Sequence, residues 1–582
     1  MEVTKGADGA CWAVPRPVVE DFRLILTWPL ALRDRVAPMG AFDGGKIHKR
    51  FLALLNQPDS PWRRQDNRLK HARGRGWEGD TDPRHTPEEY AEYVYFYPFV
   101  QKFLYDSPQS MAIHRRGDVT HVDLWLADGK DTAPTARLVV DRLAIHSFRT
   151  GDVVVVTELR WDPAEDIGPH AGAAGLPLAL VMELTERVRH VYPPFFYTSK
   201  DKPPAAAQTL ARMTWQGVPG TVPAEGISFT SDGVWERIQG RFQGDRRQAP
   251  IGEQWLPLLP DLSQKNLVWH QIQDDRMTCL TFLGLDHPER LTEVDWVRLG
   301  NVDEAGKELP YGRAFLEDFV EKSCYDRFWD PEVGFTTRYV CMGFSFVVVT
   351  KNGQLPFLAE HFRRHYFQMA LVSQFQLSAL HNISDRLTDV IGEYAEDGGV
   401  NRAETRRPLD RILQSMLEFT HVFWFTEITN QIQGRELFDL WRKHLGIERL
   451  HAQVSAEVRE AKAFVDRLQD ERIAGAAERF NWIATLVAVL GVTVGFLGMN
   501  IIVPSREASN WGDWPAWGAG AFVLAGALFV AIVMHWGLSW RGRSQWCWPG
   551  GWYSGFLVLV AVFFCLGCWL TVGDGIAEWF AR

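Results

Sequence analysis

Residues 482 to 503 read WIATLVAVLGVTVGFLGMNIIV, and this apolar stretch decides how the rest of the chain is interpreted. None of its side chains is ionisable. A helix of this length reaches about 33 Å, whereas the hydrocarbon core of a bilayer is about 30 Å thick. The stretch therefore predicts a first transmembrane span.

Besides Trp482 at its boundary, the stretch contains three side chains that form hydrogen bonds, namely Thr485, Thr493 and Asn500. A side-chain amide is costly in lipid, so Asn500 is expected to face water or a protein interior.

Two further apolar runs follow. Residues 514–538 predict a second span, and a polar loop, residues 504–513, separates it from the first. Residues 552–572 are also long enough to cross, so we predict a third span. A re-entrant or peripheral segment is the alternative for this third run.

Cationic residues set the expected orientation. Arg472 and Arg479 precede the first span, and Arg541 and Arg543 follow the second. Because cations favour the cytoplasmic side, the loop 504–513 is expected outside the cell. The amino-terminal region is expected in the cytoplasm, and the protein in the plasma (inner) membrane.

Composition limits the function classes. The chain has 582 residues and a mean hydropathy of −0.17, so most of it is expected to be soluble. A net charge of −10 argues against a nucleic-acid partner. The seven cysteines are scattered, which is typical of a reducing compartment. No P-loop, HExxH motif or nucleophile elbow is present, so an enzyme is not expected.

The region before the spans divides in two. Residues 1–345 predict a cytoplasmic α/β domain, and residues 346–446 predict a helical hairpin with a second helix from about Pro408 to His444. The β-rich runs are Tyr93–Tyr97, Val122–Leu126, Ala136–Val140, Val153–Leu159, Leu267–Ile272 and Arg338–Thr350, and the helical runs are Leu176–His190 and Ala314–Cys324.

A third helix is expected to begin at Ile447 and to continue through Gly475 towards the first span. Its apolar residues recur every three or four positions. Residues 447–481 are therefore interpreted as a stalk that bundles with copies of itself. The alternative is an amphipathic helix that packs on its own domain.

The triplet Gly498-Met499-Asn500 closes the first of two adjacent spans, after a long charged helix. In this position it resembles the CorA-type magnesium transporter family, over roughly residues 440–540. The resemblance implies an α+β cytoplasmic domain, a long helical stalk and an all-α transmembrane region in a CorA-like homo-oligomeric funnel. It also implies a homopentamer whose first span lines the channel.

The resemblance places Gly498, Met499 and Asn500 at the selectivity entrance. If the sequence is aligned with the family without gaps from Asn500 towards the cytoplasmic side, the resemblance implies that five residues line the pore. These are Gly491, Ala488, Ala484, Phe480 and Ala477. Simple helical periodicity from Asn500 instead selects Thr493, Val489 and Trp482, and Thr493 is retained as a candidate. Phe480 would form a hydrophobic constriction near the cytoplasmic mouth.

Several residues differ from the family pattern. Leu497 stands where an aromatic residue is common, and Val489 replaces a proline. The outer loop lacks the usual Met-Pro-Glu-Leu and contains Glu507 and Asp513, which either attract cations to the mouth or are solvated loop charges.

The expected chemistry is passive movement of a divalent cation. Mg²⁺ loses its water shell reluctantly, so neutral oxygens such as those of Asn500 suit it when they are repeated around an axis. Zn²⁺, Co²⁺ or Ni²⁺ are the alternative ions, and the related ZntB branch implies proton coupling. A non-conducting, membrane-anchored regulatory or scaffold protein is the alternative function.

One motif lies outside this scheme. Glu360, His361 and His365 place two imidazoles one helical turn apart, which is a spacing that holds a transition metal. No third ligand is evident in the sequence, and an aromatic-rich helix with surface histidines explains the pattern more simply.

Overall fold

The computed structural model describes residues 3–5, 11–13, 16–35, 43–65, 87–106, 111–126, 133–191, 212–218, 251–252, 254–304, 311–396, 402–498 and 526. Contacts divide the chain into two compact units, Met1–Lys462 and Ala463–Arg582.

The described strands are β1 (Val3–Lys5), β2 (Cys11–Ala13), β3 (Val18–Asp34), β4 (Arg63–Arg64), β5 (Met111–Arg116), β6 (His121–Trp125), β7 (Ala136–Phe148), β8 (Asp152–Trp161), β9 (Leu176–Pro177), β10 (Arg212–Trp215), β11 (Leu267–Gln271), β12 (Thr278–Leu285), β13 (Cys324–Tyr325), β14 (Trp329–Asp330), β15 (Phe335–Thr336), β16 (Arg338–Cys341) and β17 (Ser345–Lys351).

The described α-helices are α1 (Gly44–Leu55), α2 (Pro87–Tyr95), α3 (Pro98–Gln101), α4 (Leu178–Val188), α5 (Glu293–Asn301), α6 (Arg313–Ser323), α7 (Leu358–His361), α8 (Phe367–Glu396), α9 (Arg402–Glu418), α10 (Ile432–Leu445) and α11 (Ile447–Gly498). Three π-helical turns accompany them, at Lys102–Asp106, Phe362–Tyr366 and Phe419–Phe423.

One large mixed sheet organises the first unit. Its main strand order is β10-β6-β7-β8-β3-β12-β17-β16-β13, and β4, β5, β9 and β11 pair off this path. The pair β12–β17 is parallel, whereas the other described pairs are antiparallel. The 17-residue strand β3 pairs with both β8 and β12 and so lies in the middle of the sheet.

Alternation along the strands separates two faces of the sheet. On β3, the side chains of Leu24, Leu26 and Trp28 belong to the main apolar core, which also contains Phe51 of α1 and Val181 of α4. Because successive side chains of a strand point to opposite faces, the intervening residues face the other way. This first face therefore holds the main apolar core.

The second face of the sheet packs against α8 and α10. Phe148 of β7 stacks on Phe375 of α8 at 4.0 Å between ring centroids, and Phe346 of β17 stacks on Trp441 of α10 at 4.8 Å. The first unit is therefore an α+β structure in which helices cover both faces of the sheet.

Local sequence chemistry fixes several helix ends. Thr292 and Asp295 form a reciprocal capping box at the start of α5. Gly446 ends α10 in the left-handed conformation, with φ of 63°. The sequence prediction that this helix stops before Gly446 is confirmed, as is a helix that begins at Ile447 and passes through Gly475.

The expected fold class is wrong. The described residues form an α+β structure with a large mixed sheet and several helices, and no helix among them has both the length and the apolar character that crossing a bilayer requires. Charged residues of α11 extend as far as Arg479, so its apolar part up to Gly498 is shorter than the about 20 residues of a typical span. The all-α transmembrane region and the CorA-like funnel are therefore withdrawn as a description of the fold.

Two element predictions are also wrong. The aromatic run Tyr93–Tyr97, predicted as a strand, ends helix α2. The helix predicted from Pro408 to His444 is two helices, because the chain leaves helical geometry at Trp424 after the π turn Phe419–Phe423. The apolar runs 514–538 and 552–572 and the loop 504–513 lie outside the described residues, apart from Gly526.

Candidate functional site

Helix α11 carries the candidate pore-lining positions. At about 100° of rotation per residue, positions 477, 480, 484, 488 and 491 fall within an arc of about 80° on one side of the helix. Each of these five residues is exposed, and Phe480 has a relative exposure of 71%. The family register thus corresponds to one continuous stripe of α11.

Position 493 lies elsewhere on the helix. It is about 160° around the axis from position 477, on the side that also contains positions 482 and 489. The two registers considered from sequence therefore correspond to opposite sides of the same regular helix, and Thr493 does not share the stripe with the other five candidates.

The residues predicted to form the entrance begin at the limit of the described chain. Gly498 is the last residue of α11. Met499, Asn500, Glu507 and Asp513 lie outside the described residues.

Large apolar side chains are exposed along the same part of α11. Ile473, Phe480 and Val487 follow one another at intervals of seven residues, and each is more than half exposed. Such spacing keeps side chains on one side of a helix.

The first turns of α11 pack inside the first unit. Ile447, Val454 and Val458 are buried there. The imidazole of His451 stacks on the indole of Trp424 at 4.0 Å between ring centroids and lies 3.4 Å from Thr420 Oγ1. These contacts hold the start of the helix against the segment that follows α9.

A polar junction on α8 joins four elements of the first unit. Asn382 Nδ2 donates a 2.8 Å hydrogen bond to the buried carboxylate of Asp152 at the start of β8. Two residues along, Ser384 Oγ donates to Glu457 of α11 at 3.4 Å. Asp385 accepts a 2.9 Å bond from Arg33 of β3. The base of α11 is thus linked to the sheet through one turn of α8.

A buried ion cluster, which the sequence did not predict, lies just before the start of α8. Glu158 of β8 accepts bonds from Arg142 and from Arg363, each at 2.8 Å. Arg363 belongs to the π turn Phe362–Tyr366, and π turns often occur at functional sites. Burial alone would raise the pKa of Glu158, but the two guanidinium groups hold it below its usual value.

A second carboxylate extends this cluster. Glu92 of α2 accepts hydrogen bonds from Tyr105 Oη at 2.7 Å and from Gln368 Nε2 at 2.9 Å, and Arg364 lies 3.4 Å away. Together, these contacts tie α2 and the start of α8 to the sheet. The only signal of this cluster in the sequence is the pair of adjacent arginines in FRRHY. Both carboxylates are more than 200 residues earlier in the chain than these arginines, so the sequence could not show the pairing.

The two histidines noted from sequence are brought together. The ring centroids of His361 and His365 are 4.7 Å apart. Their neighbour Glu360 instead pairs with Arg364 at 3.1 Å. Within the described part of the chain, no group of three or more histidine, cysteine, aspartate or glutamate side chains is arranged to hold a metal ion.

Comparison of the chain with protein-family models, with curated proteins and with solved structures finds no match.

Proposed function

We propose that this chain moves divalent metal cations, with Mg²⁺ as its preferred ion, passively across the plasma (inner) membrane as a homopentamer. The observation that carries the proposal is the triplet Gly498-Met499-Asn500, which continues directly from the 52-residue helix α11. Asn500 would supply neutral oxygens to the ion at the entrance.

The chemistry of the triplet supports Mg²⁺ over softer ions. Mg²⁺ prefers oxygen ligands and keeps much of its water shell, so amide and backbone oxygens suit a partly hydrated ion. The thioether of Met499 is a poor ligand for such a hard cation, and its proposed role is packing. The membrane potential and the ion gradient would supply the driving force.

The decisive experiment is Mg²⁺ uptake into liposomes that contain the purified full-length chain. The variant Asn500→Ala should lower uptake at least about tenfold, because each entrance position loses its side-chain oxygen. Asn510→Ala, ten residues further along, is the matched control and should retain uptake. Unchanged uptake by Asn500→Ala would exclude the entrance role.

The same liposomes test the identity of the ion. Uptake of Mg²⁺ is compared with uptake of Co²⁺, Ni²⁺ and Zn²⁺, with and without a proton gradient. Faster Zn²⁺ uptake that depends on the proton gradient would favour a transition-metal transporter.

The extent of the first unit favours a second candidate function. Residues Met1–Lys462 contain the 13-stranded sheet, which a simple conduit does not require. A membrane-anchored regulatory or scaffold protein would explain so large a unit. Negligible flux of all four ions by a correctly assembled oligomer would support this candidate.

A further inference from the structure

His361 and His365 lie at the junction of α7 and the π turn Phe362–Tyr366. Their rings meet edge to face at 4.7 Å between centroids and 78° between planes. A metal–nitrogen bond is about 2.0–2.1 Å long, so two imidazoles that share one metal ion must have their rings about this close together.

The hydrogen bonding of His365 leaves one nitrogen available. Its Nε2 lies 3.5 Å from the carbonyl oxygen of Ala91 in α2, a contact in which the ring N–H donates. With the proton on Nε2, the lone pair is on Nδ1, and Nδ1 is buried without a hydrogen-bond partner. A metal-binding histidine typically donates its second nitrogen to a carbonyl or carboxylate in this way.

The orphan Nδ1 needs an explanation, because buried polar atoms in proteins are nearly always satisfied. The His365 side chain is 5% exposed, and it packs on the ring of Tyr95 at 4.4 Å. Its orientation is therefore fixed by the fold.

His361 can complete the pair. It is half-buried, and its ring packs against the rings of Phe357 and His365. To bind a metal together with His365, this ring would have to turn one of its nitrogens towards Nδ1 of His365. Glu360 lies beside the pair but is engaged by Arg363 and Arg364, so water would fill the remaining coordination positions.

We propose that His361 and His365 Nδ1 together bind one divalent transition-metal ion, with Cu²⁺ held most tightly and Zn²⁺ and Ni²⁺ less tightly. Imidazole nitrogen suits these ions, and the affinity order follows the general order for first-row metals. Mg²⁺ does not bind here, because it selects oxygen ligands. The site is independent of the proposed transport activity.

The test uses the full-length chain purified without a polyhistidine tag and titrated with Cu²⁺. Electron paramagnetic resonance counts the coordinating nitrogens, and competition with a chelator of known affinity gives the dissociation constant. The variant His361→Gln removes the more exposed ligand. His421→Gln is the matched control, because His421 is an exposed histidine on a different π turn.

We expect one ion per chain with two coordinating nitrogens in the unaltered protein and in His421→Gln. His361→Gln should weaken this binding at least about tenfold and leave a signal from one nitrogen. Equal affinities of the unaltered protein and His361→Gln would overturn the proposal, as would a signal without a second nitrogen in the unaltered protein. His365→Gln gives an independent measurement and should weaken binding to the same extent.

Discussion

Arg142 Nη2 and Glu158 Oε2 lie 2.8 Å apart, and both side chains are almost completely buried. The guanidinium of Arg142 also lies over the ring of Phe367, 3.9 Å from its centroid. The pair thus fastens β7 and β8 to the start of α8. In a buried ion pair, the attraction between the charges offsets the cost of removing them from water only while both charges are present.

Neutralising Glu158 should therefore be strongly destabilising. In Glu158→Gln, the guanidinium of Arg142 stays buried without its counter-charge, and the free energy of unfolding should fall by about 3–5 kcal/mol. Urea unfolding followed by tryptophan fluorescence measures this change. The control Glu165→Gln breaks the partly exposed pair with His121 and should cost less than about 1 kcal/mol. An equal loss of unfolding free energy in the two variants would contradict the stabilising role of the buried Arg142–Glu158 pair.

Buried neutral histidines should make the first unit sensitive to acid. Burial lowers the pKa of His48 and of His114 to about 4, against a usual value of 6.5. Between pH 6.5 and 4 the unfolded chain binds more protons at these residues than the folded chain, so stability falls as the pH is lowered through this window.

The slope of this loss is measurable. Each of the two histidines should contribute up to about 1.4 kcal/mol per pH unit, which urea midpoints at pH 7, 6 and 5 would detect. His114→Gln should flatten the dependence, and His421→Gln, at an exposed position, should not change it. A pH dependence that is unchanged after removal of both His48 and His114 would contradict the prediction.

His146 offers a stabilising substitution. The side chain is 3% exposed beneath α8, and neither ring nitrogen has a hydrogen-bond partner. An unpaired buried polar atom costs about 1–3 kcal/mol, so His146→Leu should raise the melting temperature. The comparison variant His114→Leu should lower it, because His114 Nε2 is bonded to Asn56 at 3.1 Å. A lower melting temperature for His146→Leu would show that a partner such as an ordered water satisfies the ring.

The sequence predicted about half of the strands of the large sheet, but it missed the central strand β3 and its neighbour β12. The runs Val122–Leu126, Ala136–Val140 and Val153–Leu159 are confirmed as β6, β7 and β8. Strand β3 was missed, because Pro29 interrupts its apolar run and proline is rare inside strands. Strand β3 forms despite Pro29 because it pairs with β8 on one side and β12 on the other. Both partner strands are far away in the sequence, so the residues around Pro29 do not show this pairing.

The break at Trp424 has a similar cause. Gln376 Nε2 donates to the carbonyl oxygens of both Phe423 and Phe425, at 3.0 and 3.2 Å. A side chain 47 residues earlier thus satisfies backbone groups that helical hydrogen bonds would otherwise use. The periodicity of apolar residues within one segment cannot predict a contact with a side chain so far away in the sequence. For the same reason, it could not predict the ion pairs of Glu158 with Arg142 and Arg363.

The backbone at Gly217 lies close to the backbone at Asp118, and a substitution of Gly217 tests this close approach. Its φ is +92°, and an added Cβ would lie 1.9 Å from the carbonyl oxygen of Asp118. Gly172 also has a positive φ, +68°, but an added Cβ there would meet nothing within 4 Å. Gly172→Ala should therefore cost only the conformational penalty of about 1–2 kcal/mol. Gly217→Ala should lower the melting temperature clearly further, and similar temperatures for the two variants would contradict the close approach.

The last prediction concerns Phe480, the large aromatic side chain on the stripe of α11. If the proposed transport is correct and this stripe faces the ion path, a ring of Phe480 side chains would hinder hydrated ions by excluding water. Phe480→Ala should then raise Mg²⁺ flux into liposomes several-fold, and Phe480→Trp should lower it. Trp482→Ala is the matched control, since Trp482 lies about 200° around the helix from Phe480. A larger effect of Trp482→Ala than of Phe480→Ala would assign the ion path to the opposite side of α11, where position 493 lies.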